Sequence, residues 1–146
     1  MTGPGTLLLL DTSVVLHVVR GDAVALRMDK AYNLRGRAEW PLISVVTVGE
    51  ARSFALQRGW GSAKVEKLDK VLHEFVVVDI SSAAILEKYA QIDAYLRRNG
   101  KALGKNDVWI AATAAATGAL LLTNDKDFDP LDPLFLQNAY VDPSCD

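Results

Sequence analysis

The sequence predicts an α/β fold: a three-layer sandwich with a central, mainly parallel β-sheet flanked by helices. Three observations carry this. Short apolar runs alternate with longer stretches of helical periodicity along the whole chain. The runs are apolar at consecutive positions, as strands covered on both faces are, and do not alternate as half-exposed strands do. No internal repeat, low-complexity tract or long linker breaks the pattern, so residues 1–146 read as one domain.

Taken in order, TLLLLD (6–11) is a buried strand ending at an acid. TSVVLHVVRG follows. Its valines favour a strand, but Val14, Val15, Val18 and Val19 share one helical face and Gly21 supplies a stop, so a helix is expected. Residues 22–36 are expected to form a helix closing at Gly36. PLISVV (41–46) is the second strand, and TVGEARSFALQRG (47–59) a helix entered at Thr47 and stopped by Gly59. Residues 62–75 form an amphipathic helix with Val65, Leu68, Val71 and Leu72 on one face. FVVVDI (75–80) is a third strand. Ser81 or Ser82 caps a helix reaching Gly100, with Ile85, Tyr89, Ile92 and Leu96 inward. KALGK is a loop, NDVWIAATAAATG (106–118) an alanine-rich helix, and ALLLT (119–123) the fourth strand. The tail 129–146 offers NAYVD (138–142) as an edge strand.

Composition narrows the function classes. Half of the residues are hydrophobic and 23% are charged, the profile of an ordinary globular domain. The apolar runs fall far short of the roughly 20 residues a membrane span needs. No Lys or Arg precedes LLLL and Asp11 interrupts it, which argues against a secretory signal. A single cysteine, Cys145, excludes an internal disulfide framework, and a reducing cytoplasm is the expected setting. The formal charge of −2 gives no hint of a polyanion partner, although acids gathered in a metal site can mask a basic rim.

The acids carry the chemistry. Ligands of parallel sheets bind beyond the carboxyl ends of the strands. Asp11 directly follows the first strand, Glu50 opens the helix after the second, and Asp125 lies two residues past the fourth. Asp107 begins the helix that feeds that last strand. Each has a structural reading when taken alone. Asp11 suits a turn or N-cap; Glu50 completes a capping box with Thr47; Asn106 or Asp107 caps a helix; Asp125 and Asp127 suit an Asx-turn. All four at one end of the sheet are harder to explain that way. Two carboxylates about 4 Å apart repel by roughly 4 kcal/mol at an effective dielectric near 20, a cost a divalent ion removes. Oxygen donors without a Cys or His cluster point to Mg²⁺ or Mn²⁺. His17 and His73 lie far apart in helical patterns and read as ordinary histidines.

LLLLDTSVVL, ISVVTVGEARSFAL and GKNDVWIAATAAATGALLLTNDKDF, in this order and spacing, resemble the PIN-domain ribonucleases, and among them the VapC-type toxins of bacterial toxin–antitoxin pairs. The likeness spans residues 7–128. It implies a PIN-like sandwich with an acidic pocket for Mg²⁺, for which Mn²⁺ can substitute. Asp11, Glu50, Asp107 and Asp125 would bind the metal and carry catalysis. Ser13, Asn106, Thr123 and Asp127 would support them. The implied activity is hydrolysis of single-stranded RNA by an activated water, leaving 5′-phosphate and 3′-hydroxyl ends. The implied partners are RNA, a cognate antitoxin lying across the pocket and a second copy in a homodimer, with no membrane involved.

Arg20, Arg52, Arg97, Arg98, Lys101 and Lys105 are candidates for a phosphate-binding rim, with Arg97 and Arg98 read as solvated surface. Trp109 is expected in the core, Trp40 and Trp60 nearer the surface. A haloacid-dehalogenase-like phosphatase also places an Asp after the first strand, but it needs a second Asp two residues later, where Ser13 stands. A non-catalytic binding module would show no metal-dependent cleavage. The RNA target and the metal count are not legible in the sequence.

Overall fold

In the computed structural model, which describes residues 6–144, a five-stranded sheet runs in the order β3-β2-β1-β4-β5 with every neighbouring pair parallel. The strands are β1 (Leu8–Leu10), β2 (Leu42–Ser44), β3 (Val76–Val78), β4 (Leu120–Thr123) and β5 (Gln137–Tyr140). The helices are α1 (Thr12–Arg20), α2 (Ala23–Tyr32), α3 (Val45–Gln57), α4 (Ser62–Leu72), α5 (Ala83–Arg98) and α6 (Lys105–Thr117), with a 3₁₀ turn over Lys126–Leu131. Cys145 lies outside the described residues.

The consecutive leucines of β1 build two cores at once, because successive side chains point to opposite faces. Leu8 and Leu10 pack into the cluster formed with α1 to α4, while Leu9 joins the cluster of α5 and α6. β4 divides likewise, Leu122 to the first and Leu121 to the second. Three layers follow directly. β1 and β4 lie side by side in register, Leu8 opposite Leu120 and Leu10 opposite Leu122. After β1 the chain order moves to β2 on one side, and β4 occupies the other, so a crevice opens between their carboxyl ends.

Local chemistry fixes where the helices begin. Asp11 caps α1 by accepting from the Thr12 amide, and Gly21, at φ +64°, turns the chain out of it. The valine stretch is therefore a helix, as its spacing predicts, with Val14, Val15, Val18 and Val19 buried. Helix α2 stops earlier than Gly36, at Asn33, which takes the left-handed conformation that asparagine tolerates. Gly36 serves another end, since a Cβ there would lie 2.4 Å from the Asn33 side chain. Helix α3 begins at Ser44 and not Thr47: the Ser44 hydroxyl accepts from the Val46 amide, and Val45 and Val46 continue as helix despite their strand propensity. The capping box expected from Thr47 and Glu50 is thus absent.

Three further expectations are corrected. Helix α4 ends at Leu72, leaving Phe75 in the core. β3 is an edge strand, with Val76 and Val77 each 46% exposed, so it is not the doubly covered strand its run of valines suggests. Helix α6 is entered at Gly104, which has no side chain to cap with, so neither Asn106 nor Asp107 is used as a cap. The tail does add an edge strand, β5, parallel to β4. Ser82 caps α5 through the Ile85 amide, and Ile85, Ile92 and Leu96 are buried as expected.

Candidate active site

The end of β1 is tied to β4 by a hydrogen bond from the Asp11 amide to the Leu122 carbonyl, 3.0 Å, and this sets Asp11 at the mouth of the crevice. Its side chain is only 6% exposed. Oδ2 accepts from the Thr123 hydroxyl at 2.7 Å and Oδ1 from the Thr12 amide at 2.8 Å. Thr123, fully buried at the end of β4, also accepts from the Asp125 amide at 3.0 Å. One hydroxyl therefore locks the first acid to the loop that carries the last.

Glu50 lies in the second turn of α3, because that helix starts at Val45. Its two oxygens are held from different elements: Oε1 by the Thr12 hydroxyl at 2.6 Å and Oε2 by the Asn106 amide at 3.1 Å. The Thr12 and Thr47 hydroxyls lie 3.1 Å apart beneath it. Asp107 is the third residue of α6, and Asp125 accepts from the Asp127 amide at 2.8 Å in the turn that opens the 3₁₀ segment. Thus Asp11, Glu50, Asp107 and Asp125, together with Thr12, Ser13 and Asn124, line one open cavity of about 380 Å³.

The electrostatics are those of crowded acids. Burial, above all, raises the proton affinity of Asp11; bonds from Thr123 and Thr12 oppose this, and the Glu50 and Asp125 carboxylates add to it. Asp107 is pushed from 3.8 to about 7, first by burial and then by the charges of Asp11, Glu50, Asp125 and Asp127. Four carboxylates from three segments therefore bear on one group. The donors are all oxygens, the set that hard divalent cations prefer. Asn124 adds another, since its amide nitrogen donates to the Val141 carbonyl while its amide oxygen is buried and unpartnered among the described residues. No three acidic or histidine side chains among the described residues stand close enough to form a finished cage. Such an open arrangement suits a cation that keeps several of its own waters, as Mg²⁺ does.

Supporting positions divide. Thr123 bonds Asp11 and Asn106 bonds Glu50. Ser13 lines the cavity, but the hydroxyl that grips Glu50 belongs to its neighbour Thr12. Asp127 is exposed and reaches the site through its backbone amide and its charge on Asp107. Thr12, Thr47 and Asn124 escaped the sequence reading. Thr12 and Asn124 directly adjoin identified residues; Thr47 was concealed by its apparent capping role. His17 is paired with Asp22 at 2.6 Å and His73 bonds its own helix, both away from the acids. Trp109 packs against Tyr89, ring centres 4.0 Å apart, while Trp40 is 57% exposed. Arg52 pairs with Asp69 and Arg97 with Asp93 on the surface.

Comparison with known proteins accords with this geometry. Residues 8–132 match the PIN domain. The chain belongs to the PIN-domain family. The PIN domain here is 37% identical over 92 residues to ribonuclease VapC4 of Mycobacterium tuberculosis, covering 62% of this chain and 69% of that protein. It is 29% identical over 139 residues to ribonuclease VapC2 of Rickettsia felis, covering 89% and 96%. Its fold superimposes on VapBC2 from Rickettsia felis bound to a promoter DNA fragment, with a TM-score of 0.76 at 22% identity over 91% of this chain and 98% of that one. Of the PIN-domain elements, those matched run from β1 through the 3₁₀ turn and so include all four acids.

Proposed function

We propose that this PIN domain is a Mg²⁺-dependent endoribonuclease, with Mn²⁺ able to substitute, and that it is the toxin of a toxin–antitoxin pair. The observation that carries the reading is the meeting of Asp11, Glu50, Asp107 and Asp125, drawn from four segments, around a single cavity. The relatives named as VapC ribonucleases support the reaction class, and likeness in fold to a toxin–antitoxin complex from Klebsiella pneumoniae supports an antitoxin partner.

In this reading the four acids hold one or two divalent ions. Bound there, the cation supplies a polarised phosphoryl oxygen and a water of lowered pKa. The chain supplies the rest. Thr123 and the Thr12 amide fix the Asp11 carboxylate on both oxygens, and Thr12 with Asn106 fixes that of Glu50, so little reorganisation accompanies substrate binding. Single-stranded RNA suits a site this open, and a second copy of the chain completes the expected homodimer.

The test is incubation of the purified chain with defined RNAs, in Mg²⁺ and in EDTA, followed by mapping of the cut ends. Cleavage only with Mg²⁺, giving 5′-phosphate and 3′-hydroxyl ends, is expected. Intact RNA under both conditions, with the chain folded, ends the reading.

A further inference from the structure

The acidic cavity continues into a second depression of about 620 Å³ that shares Thr12 and Glu50 with it. Its walls are α1 and α3, which pack together. Thr12 and Leu16 of α1 and Glu50 and Phe54 of α3 line the depression, and the same four-residue spacing continues beyond the lining to Arg20 on α1 and to Arg58 at the cap of α3, both over the Phe54 ring. Both series start at the acids. Both end, about 12 Å further along the helix axis, in an arginine. Both guanidinium groups stack on the same ring, Arg20 at 5.7 Å and Arg58 at 4.8 Å from the centre of Phe54. Trp60 packs edge-on against that ring and carries Lys64 over its own face at 4.5 Å.

These cations are not consumed by the fold. Among the described residues, Arg20, Arg58 and Lys64 have no carboxylate within salt-bridge distance, in contrast to Arg52 and Arg97; Asp22 acts on Arg20 only from further away. Between the acids and the arginines the depression is neutral, lined by Leu16, Val46, Ser53 and Gln57, and Gly49 leaves its middle open, for a Cβ there would meet nothing within 4 Å. Positive charge fixed on aromatic rings, one helix face away from a phosphodiester-cleaving centre, is complementary to the backbone of the strand being cut.

The geometry points to the α1–α3 depression as the track for the single-stranded RNA flanking the scissile phosphate, with Arg20 and Arg58, aided by Lys64, clamping its phosphates. This rests on the ribonuclease reading above but is tested separately from it. Arg20 and Arg58 are positioning residues here.

The experiment is equilibrium binding of a labelled single-stranded RNA in EDTA, where it stays uncut, across a series of salt concentrations. Each phosphate contact adds about 0.7 to the steepness of log affinity against log salt on a single strand. Arg20→Gln with Arg58→Gln is expected to reduce that slope by about 1.4, and Arg97→Gln, on the far surface, to leave it alone. Gly49→Met, which fills the depression without touching an arginine, is expected to weaken binding. In Mg²⁺ the arginine pair is expected to raise KM more than it lowers kcat. Unchanged slopes in the arginine pair, or unimpaired binding by Gly49→Met, overturn the track. So does a hexaglutamate peptide that binds the wild type as tightly as RNA and is lost in the pair, because the surface then takes acidic polypeptide. A wild type that binds RNA with the expected slope but never cuts it in Mg²⁺ overturns the ribonuclease reading instead.

Discussion

A carboxylate that bonds to two donors and faces three other carboxylates is held in place against its own electrostatics, and single atoms should reveal this. Asp107→Asn and Asp125→Asn are expected to lower Mg²⁺-dependent cleavage to below about 1% of wild type, a deeper loss than the 10–100-fold typical of groups that only orient a ligand. Thr12→Val, which takes the hydroxyl from Glu50 while keeping the shape, belongs in that milder 10–100-fold range. Comparing initial rates on one RNA separates the two classes; equal losses would remove the distinction between holding and being held. Proton linkage gives a second residue-level test. Folded Asp107 keeps its proton to about pH 7, whereas its ordinary value is 3.8. Between these values the unfolded chain binds fewer protons than the native one, so rising pH favours unfolding. In EDTA the melting temperature should therefore fall from about pH 4 to 7 at this site and level off above it, and Asp107→Asn should flatten that part of the curve. A wild-type profile that rises over the interval, once other groups are matched by the mutant, would contradict the crowding of acids.

Among the elements, α3 has the greatest leverage, because its first residue decides where Glu50 stands. Ser44 is fully buried and caps the helix through Val46. Ser44→Ala is expected to cost about 1 kcal/mol of stability, the usual value of an N-cap, measured by urea unfolding. It should cost activity too, since fraying of the first turn loosens the turn that bears Glu50; a loss of stability with full activity would free the site from dependence on the cap. This element also shows what the sequence conceals. Strand-to-helix alternation, the acids after β1, β2 and β4, and the helical face of α1 were all legible from spacing. The α3 boundary was not. Ser44 and Thr47 are both good caps, and only the tertiary position of β2, paired at Ser44 with Val78, selects between them. The same limit hid Thr12, whose hydroxyl partner is 38 positions away, and the exposure of β3, since a run of valines does not tell an edge from a centre. At α6 the side-chain cap that Asn106 or Asp107 offered as an alternative reading is unused, since Gly104 begins the helix.

At the level of the whole molecule, acid crowding and metal binding oppose one another, so the ion should act as a staple. Saturation to about 100 times its dissociation constant contributes about 2.7 kcal/mol to the native state. For a domain of this size that corresponds to a rise of roughly 5–10 °C in melting temperature. Calorimetry in Mn²⁺ and then in excess EDTA should show the shift and its reversal, and Asp125→Asn should show neither; identical melting in both conditions would deny the site its cation. The sheet order carries one more consequence. Thr123 and Asp11 stand side by side although 112 positions separate them, because β4 is the neighbour of β1. A polypeptide emerging from the ribosome with only its first hundred residues free can lay β2 along one edge of β1, but has no β4 to bring Thr123 and Asp125 to the other. On the proposed reading the acid site is then completed late in synthesis, when the penultimate strand slides home.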